Sequence, residues 1–532
     1  MTGRSGRTIA VLLTLALVAL VGLHAPIATA QAEGGEDIKE AGALERFDTW
    51  FGETVVQRIQ DVLFFKVGLP NKDIPDDNPD GGIVRSLPLI IIVLVLGGTF
   101  FTIRYGLVNV RLFKHSIQVI RGKYDHPEDQ GEVSHFQALT SALSATVGLG
   151  NIAGVAFAIS LGGAGAVFWM WLTAFLGMSM KFSSCTFAHL YRNIRNDGRI
   201  LGGPMVYLEK GIKEQFPSLA FLGKGLAVFF AILTIFAAFG GGNMFQGNQT
   251  AEIIAFQFFD GSDAAPLRIG IGLVMATLVG IVLLGGIQRI GEITSKLVPA
   301  MCLFYCAICL VIILMDASRI PMIILSIFTD AFNAEAAFGG FIGVLVVGMQ
   351  RAAFSNEAGV GSAAIAHATA RTEEPVREGV VAMMGPFIDT IVVCTMTALA
   401  ILSTQAHLEG GVGIEITARA FAQLGAFAPY VLCIAVAVFA YSTMISWGYY
   451  GERAAEYLMG ERAILPYRAV FVFVVVLGPV LSIVNVLNFS DFMILSMAFP
   501  NIIGMVLISG KVKKMADDYV QRLKSGEIKP YS

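Results

Sequence analysis

Apolar runs of about 20 residues recur along most of this chain, each long enough to cross a hydrocarbon layer of roughly 30 Å at about 1.5 Å per residue. Such a run inserted in lipid must satisfy its backbone polar groups internally, and the helix does this within one segment. Composition agrees: of 532 residues, 55% are hydrophobic and 14% charged, where a soluble protein would carry roughly a quarter charged. The runs follow one another without a soluble-looking interruption. They predict one all-α polytopic membrane domain over residues 88–510, followed by a cytoplasmic tail at 511–532.

The N-terminus reads differently. Arg4 and Arg7 precede an apolar stretch at 9–21, and Ala28, Thr29 and Ala30 place small residues where a signal peptidase cuts, so 1–30 is read as a signal peptide or retained hydrophobic segment. Residues 31–87 are polar and partly amphipathic, with Leu44, Phe47, Phe51, Val55 and Ile59 tracing a helical face suited to the outer membrane surface. The net charge of −3 and the lack of basic blocks interleaved with aromatics exclude a nucleic-acid partner. All six cysteines fall inside apolar runs, and Cys306 and Cys309, a C-x-x-C by spacing, share a helix face with Cys302. That setting argues against disulfides and against a metal or redox role.

Spans are read at 88–108, 135–160, 164–191, 221–258, 268–288, 293–315, 338–366, 379–402, 427–449, 466–487 and 489–510, eleven in all, the fourth being longer than one crossing. Alternate connections differ sharply in positive charge. One side holds Arg104, Arg111, Lys114, Arg121, Lys123, Arg192, Arg195, Arg199, Arg289, Arg371, Arg377, Arg453, Arg462 and the tail from Lys511. The other, beyond the N-terminal segment, holds only Arg268, Arg319 and Arg419. Positive charge resists translocation, so the rich side and the C-terminus are expected in the cytoplasm.

Two spans carry the wrong residues for an ordinary helix. The string SATVGLGNIAG at 144–154 sets three glycines and Asn151 in mid-membrane, and FSNEAGVGS at 354–362 sets Asn356, Glu357, Gly359 and Gly361 at matching depth. Glycine weakens a helix interior by about 1 kcal/mol relative to alanine, and unwound backbone survives at this depth only when protein or a water-filled cavity satisfies it. Close packing explains Gly280, Gly285 and Gly286 well enough, but does not account for the polar side chains beside the two breaks. The first broken span opens a set of five (135–315) and the second opens another five (338–510). An odd number per set makes the sets inverted copies, an architecture with a ligand site at the midplane.

Each break exposes amide N–H groups at the start of one half-helix and carbonyls at the end of the other, ends of opposite partial charge. A small zwitterion fits the junction, its carboxylate toward the amides near Leu149 and Gly150 and its ammonium toward carbonyls of the second break. A sodium ion fits as well, since hard cations take the carbonyl, hydroxyl and amide oxygens that Ser144, Thr146, Val147 and Asn151 provide.

These strings, together with IAH at 365–367, PVREG at 375–379, FIDT at 387–390 and STMISWGYYGE at 442–452, resemble the alanine or glycine:cation symporters of bacteria and archaea. The resemblance covers about residues 87–510, and SNEAG with its downstream histidine is its most specific part. It implies a leucine-transporter-like fold with two inverted five-helix repeats, two broken helices and one extra N-terminal span, in a bacterial inner membrane. It further implies sodium-coupled import of a small neutral amino acid, alanine or glycine, by alternating access, with sodium as coupling ion and no other cofactor. By the same resemblance the amino acid would meet Thr146, Leu149, Gly150, Asn243, Gln246, Ser355, Asn356, Gly359, Gly361, Thr443 and Trp447. The cation would meet Ser144, Thr146, Val147, Asn151, Ser442 and Thr443. Leu149 stands where the family more often has a small hydroxyl residue, and Val360 and Ala364 replace Met and Pro.

Four residues admit two readings. Glu357 either faces the cargo or ion, or is paired structurally with Arg351 or a backbone amide. Asp389 is a proton site or a hydrogen-bonded structural carboxylate; His367 caps or packs at the cytoplasmic end; Trp447 closes the pocket or fills core. Competing functions are a proton-coupled or other small-solute carrier on the same fold, and a channel. An enzyme would show a nucleophile with its base or a metal motif such as H-E-x-x-H, and ATP-driven transport a G-x-x-x-x-G-K-[ST] loop, and the sequence has neither.

Overall fold

The computed structural model of the chain describes residues 43–57, 66–68, 86–126, 128–259, 261, 264–333 and 340–531. The signal-peptide reading and Ile59 of the amphipathic face lie outside these residues. The described chain is almost entirely helical, with short antiparallel pairs at Lys66–Gly68 with Ser86–Pro88 and at Asn193–Ile194 with Ile200–Leu201.

Seven described helices are long and apolar enough to cross a membrane: Pro217–Phe258, Ala265–Leu283, Gly286–Met315, Pro375–Thr404, Ala428–Met459, Glu461–Val480 and Ile483–Ser525. Leu89–Arg104 is a shorter apolar helix, and Gly165–Leu190 covers another expected span. Large apolar side chains point outward, among them Ile103 (73% exposed), Phe221 (91%) and Leu303 (73%). Water would not tolerate such a surface over so much of the molecule, whereas lipid matches it.

Both interrupted spans are present. The first runs His135–Thr146, unwinds over 147–152 and resumes as Ala153–Gly162. Ser134 caps it, its hydroxyl accepting from the Gln137 amide while Gln137 Oε1 accepts from the Ser134 amide, a reciprocal pairing that fixes where the helix starts. The second runs Gly340–Asn356, unwinds over 357–362 and resumes as Ala363–His367. Val133, before the first, bridges Ala370, after the second, and Arg371 N donates to Val133 O at 2.8 Å. The start of one broken span therefore lies beside the end of the other, so the two cross in opposite directions and their breaks meet midway.

Several expectations shift. The long span expected at 221–258 is one helix, Pro217–Phe258, in which GGGNM at Gly240–Met244 forms a π-turn that absorbs an extra residue. The boundary expected near 488 lies at 478–482, where Gly478-Pro479 ends one helix and Ser482 caps the next by accepting from the Asn485 amide. The tail from Lys511 is no separate segment. One helix, Ala498–Ser525, continues through it, with Val512, Ala516 and Tyr519 buried and Tyr519 Oη 2.8 Å from His115 Nε2.

Pro204–Gln215, Ile320–Asp330 and Ile414–Ala422 form further helices between the expected spans. The amphipathic segment is helical from Ala43 and seated on the start of the last span, where Asp48 accepts from Ser482 N (3.0 Å) and Phe51 packs on Phe489 with centroids 5.3 Å apart.

Candidate functional site

The first break is held open by side chains that substitute for lost helical bonds. Gly148 N donates to Asn151 Oδ1 (2.9 Å) and Leu149 N to Gln246 Oε1 (3.1 Å). With Gly148 N so engaged, the Ser144 carbonyl, which that amide would meet in a continuous helix, instead accepts from Thr443 Oγ1 (3.1 Å). Ser144 Oγ donates in return to Ser442 O (2.6 Å). Oxygens of Ser144, Ser442 and Thr443 thus converge where two helices cross, a donor set suited to a hard cation. Gly148 is required here: a Cβ on it would lie 2.3 Å from Thr443 Oγ1.

The second break touches the first. A Cβ on Gly150 would lie 3.3 Å from Phe354 Cδ1 and 3.4 Å from Ser355 Cα, so the two unwound segments pass in close contact. The link between the breaks is Asp389. Its Oδ1 accepts from Asn151 Nδ2 (2.7 Å), and its Oδ2 accepts from Ser355 Oγ and Thr390 Oγ1, both at 2.7 Å. Asp389 is buried and sits in another π-turn, Phe387–Cys394, which turns its carboxyl toward both breaks.

Asn356 Nδ2 donates to Thr390 Oγ1 (3.0 Å) and its Oδ1 accepts from Ala358 N (2.9 Å). Glu357 has φ +54°, an uncommon conformation for a residue with a side chain. Its carboxylate accepts from Trp447 Nε1 (2.9 Å) and from Ser362 Oγ. Trp447 is buried against Gly242, where a Cβ would come within 2.3 Å of it.

The structure therefore gathers Ser144, Val147, Leu149, Gly150, Asn151, Gln246, Ser355, Asn356, Glu357, Asp389, Thr443 and Trp447 around the two breaks. It separates others. Thr146 Oγ1 donates back to Ala142 O and Leu143 O, both at 3.3 Å, because a hydroxyl in the last helical turn finds its own carbonyls first. Ser442 Oγ likewise turns to Phe439 O (2.9 Å), leaving Thr443 as the hydroxyl that faces the first break. Asn243 donates to Phe471 O (2.8 Å), since the π-turn aims it at the neighbouring helix. Gly359 and Gly361 lie within the second break with φ +84° and +94°, a backbone that favours glycine, and they pack against Leu94 and Met180 and against Asn501 and Pro204.

Arg351 is not the partner of Glu357. It pairs with Asp491, the two buried together, because its position on the helix faces the last span. His367 bonds Glu378, and His135 at the start of the first broken span bonds the other oxygen of the same carboxylate. This buried His–Glu–His bracket ties both broken spans to the helix at 375.

Cys394 Sγ lies 3.3 Å from Ser355 Oγ and 3.4 Å from Asn151 Nδ2. Neither it nor Lys181 stands out as a sequence-derived site residue. Lys181 donates from Nζ to Asn356 O (2.9 Å) and is 2% exposed. A lone charge in the run 164–191 is the signal that marks it, since an ionised side chain inside a membrane helix is costly without a partner. The described cysteines are free thiols, and no group of three or more His, Cys, Asp or Glu suited to a metal occurs among the described residues.

Residues 80–532 match the Sodium:alanine symporter family. The sodium/alanine symporter AgcS of Methanococcus maripaludis is 43% identical over 430 residues, covering 80% of this chain and 92% of that protein. The amino-acid carrier protein AlsT of Bacillus subtilis is 35% identical, covering 82% and 90%. The probable sodium/glutamine symporter GlnT of the same organism is 33% identical, covering 82% and 89%. The crystal structure of MhsT in complex with L-phenylalanine aligns with a TM-score of 0.47 at 14% identity, covering 71% of this chain and 98% of that one. A match over most of the sequence, with the breaks and the polar side chains that hold them in place, identifies the chain as a multi-pass membrane transporter and not an enzyme; it belongs to the sodium:alanine symporter family.

Proposed function

We propose that this protein imports a small neutral amino acid, alanine or glycine, together with sodium by alternating access across a bacterial inner membrane, with its C-terminus in the cytoplasm. The observation that carries this is the convergence of both breaks on Asp389 through Asn151 and Ser355. One carboxylate bonded to both breaks lets a cation bound there bias how the two broken spans sit against each other. That differential interaction is what coupling requires. The Ser144–Thr443 crossing offers a second set of hard oxygens. The opposed directions of the broken spans support reading the two five-helix sets as inverted repeats.

Cargo size follows from the approach distances. Gly148 and Gly242 lack room for a side chain against Thr443 and Trp447, and Gly150 lies close against Phe354, so the junction favours a ligand whose own side chain is a hydrogen or a methyl. The relatives' names include both alanine and glutamine as cargo, and the close walls favour the smaller. The test is uptake of labelled alanine, glycine and glutamine into proteoliposomes under an inward sodium gradient, with potassium replacing sodium as control. A second reading, proton coupling, rests on the buried carboxylates Asp389 and Glu357. Alanine uptake driven equally by a proton gradient in sodium-free buffer would establish that reading and reject the first.

A further inference from the structure

Lys181 is a buried charge that the proposed transport cycle does not use. It is the lysine of Gly165–Leu190, with its Nζ 2.9 Å from Asn356 O, the carbonyl at the end of the helix that leads into the second break. A Cβ on Gly385 would come within 3.1 Å of that Nζ, so the ammonium is enclosed between the second broken span and the helix that carries Asp389. Asn356, whose carbonyl it holds, precedes Glu357 in the chain, and Gly385 lies four residues before Asp389. Arg351, the nearby arginine of the broken span, is already neutralised by Asp491.

Glu357 and Asp389 are both buried, and neutral donors converge on both oxygens of each: Trp447 and Ser362 on Glu357, and Asn151, Ser355 and Thr390 on Asp389. With all three groups ionised, two carboxylates against one ammonium leave a single excess negative charge around the breaks. A zwitterionic amino acid adds none, so one monovalent cation makes the loaded centre neutral. Without the lysine the same centre would hold two excess negative charges.

We infer that Lys181 is a tethered cation standing in for a second coupling ion, and that its ammonium on Asn356 O sets sodium coupling at one ion per amino acid. The inference rests on the sodium-coupled reading above. The lysine acts by position and charge: it fills the negative end of a half-helix where an added cation would otherwise settle.

A purely structural lysine makes a different prediction, because Lys181→Gln keeps an N–H donor for Asn356 O and removes only the charge. The experiment measures alanine affinity of purified protein across a sodium series. The slope of log affinity against log sodium concentration counts the ions bound with the cargo, and is expected to be about one in the parent and about two in Lys181→Gln. At low sodium the variant is expected to bind alanine roughly tenfold or more weakly, with the gap closing as sodium rises. The double variant Lys181→Gln with Glu357→Gln restores the charge count, and its slope is expected to return to about one.

A parent slope of about one with an unchanged slope in Lys181→Gln overturns the role of the lysine and leaves sodium coupling standing. A parent that binds alanine equally well without sodium overturns the coupling reading and this inference together. If the single variant does not fold, the double variant decides: folding and binding with a slope of about one support the charge count, and failure to bind alanine at high sodium overturns it.

Discussion

Asn151 and Asp389, 238 positions apart, share a hydrogen bond of 2.7 Å in which the amide of the first broken span donates to a carboxylate held in a π-turn of another helix. Asn151 also accepts from Gly148 N, so one side chain both shapes the first break and ties it to Asp389. Asp389→Asn removes the charge while keeping the size. Hydrogen bonds to charged groups contribute about 1.5–3 kcal/mol, so sodium-dependent alanine binding is expected to fall roughly 10- to 100-fold. Calorimetric titration of alanine at fixed sodium checks this; unchanged affinity would remove Asp389 from the site.

Gly148→Ala places a methyl 2.3 Å from Thr443 Oγ1 and so displaces the hydroxyl from Ser144 O. Gly150→Leu drives a larger group into Phe354 and Ser355. The alanine variant is expected to weaken sodium affinity, and the leucine variant to abolish amino-acid binding in a protein that still folds. Ligand-induced rises in melting temperature separate these outcomes. A normal alanine-induced rise in Gly150→Leu would place the cargo elsewhere.

Trp447→Phe keeps the aromatic body against Gly242 but removes the N–H that Glu357 accepts at 2.9 Å. A buried carboxylate deprived of one donor is expected to cost about 1–3 kcal/mol. Thermal melting without ligand should show that loss. Uptake should fall as well, because Glu357 lies next to the carbonyl that Lys181 holds.

Glu378 bonds His135 and His367 at once, all three buried. Glu378→Ala leaves both imidazoles without an acceptor and is expected to destabilise the protein by about 2–5 kcal/mol, while Glu378→Gln, which keeps one acceptor oxygen, should cost less. Melting of the two variants beside the parent gives the comparison. Equal melting in all three would show that the bracket contributes nothing to stability.

The positions of the two breaks were determined by the sequence alone. Glycines and asparagines clustered in an otherwise apolar run leave the backbone few ways to satisfy itself in lipid, so SATVGLGNIAG and FSNEAGVGS mark unwound segments wherever the rest of the chain packs. The apolar spans were legible for a similar reason, since apolar length is a local property, and seven described helices are long and apolar enough to cross a membrane. Less of the extended last helix was legible, because the charged stretch after Lys511 reads as a solvated tail until Tyr519 is seen buried beside His115.

Which side chains meet was decided only by the tertiary structure. FIDT marks Asp389 as a carboxylate inside an apolar run, but only the π-turn around it aims that carboxylate at Asn151 and Ser355. Arg351 and Glu357 are near neighbours in sequence, yet the helix directs one to Asp491 and the reversed φ at the break directs the other to Trp447. Lys181 meets Asn356 O across 175 positions. Local pattern fixes where a chain can unwind, but the partners of a buried charge are set by which helices cross at that depth, and that is a property of the packed bundle.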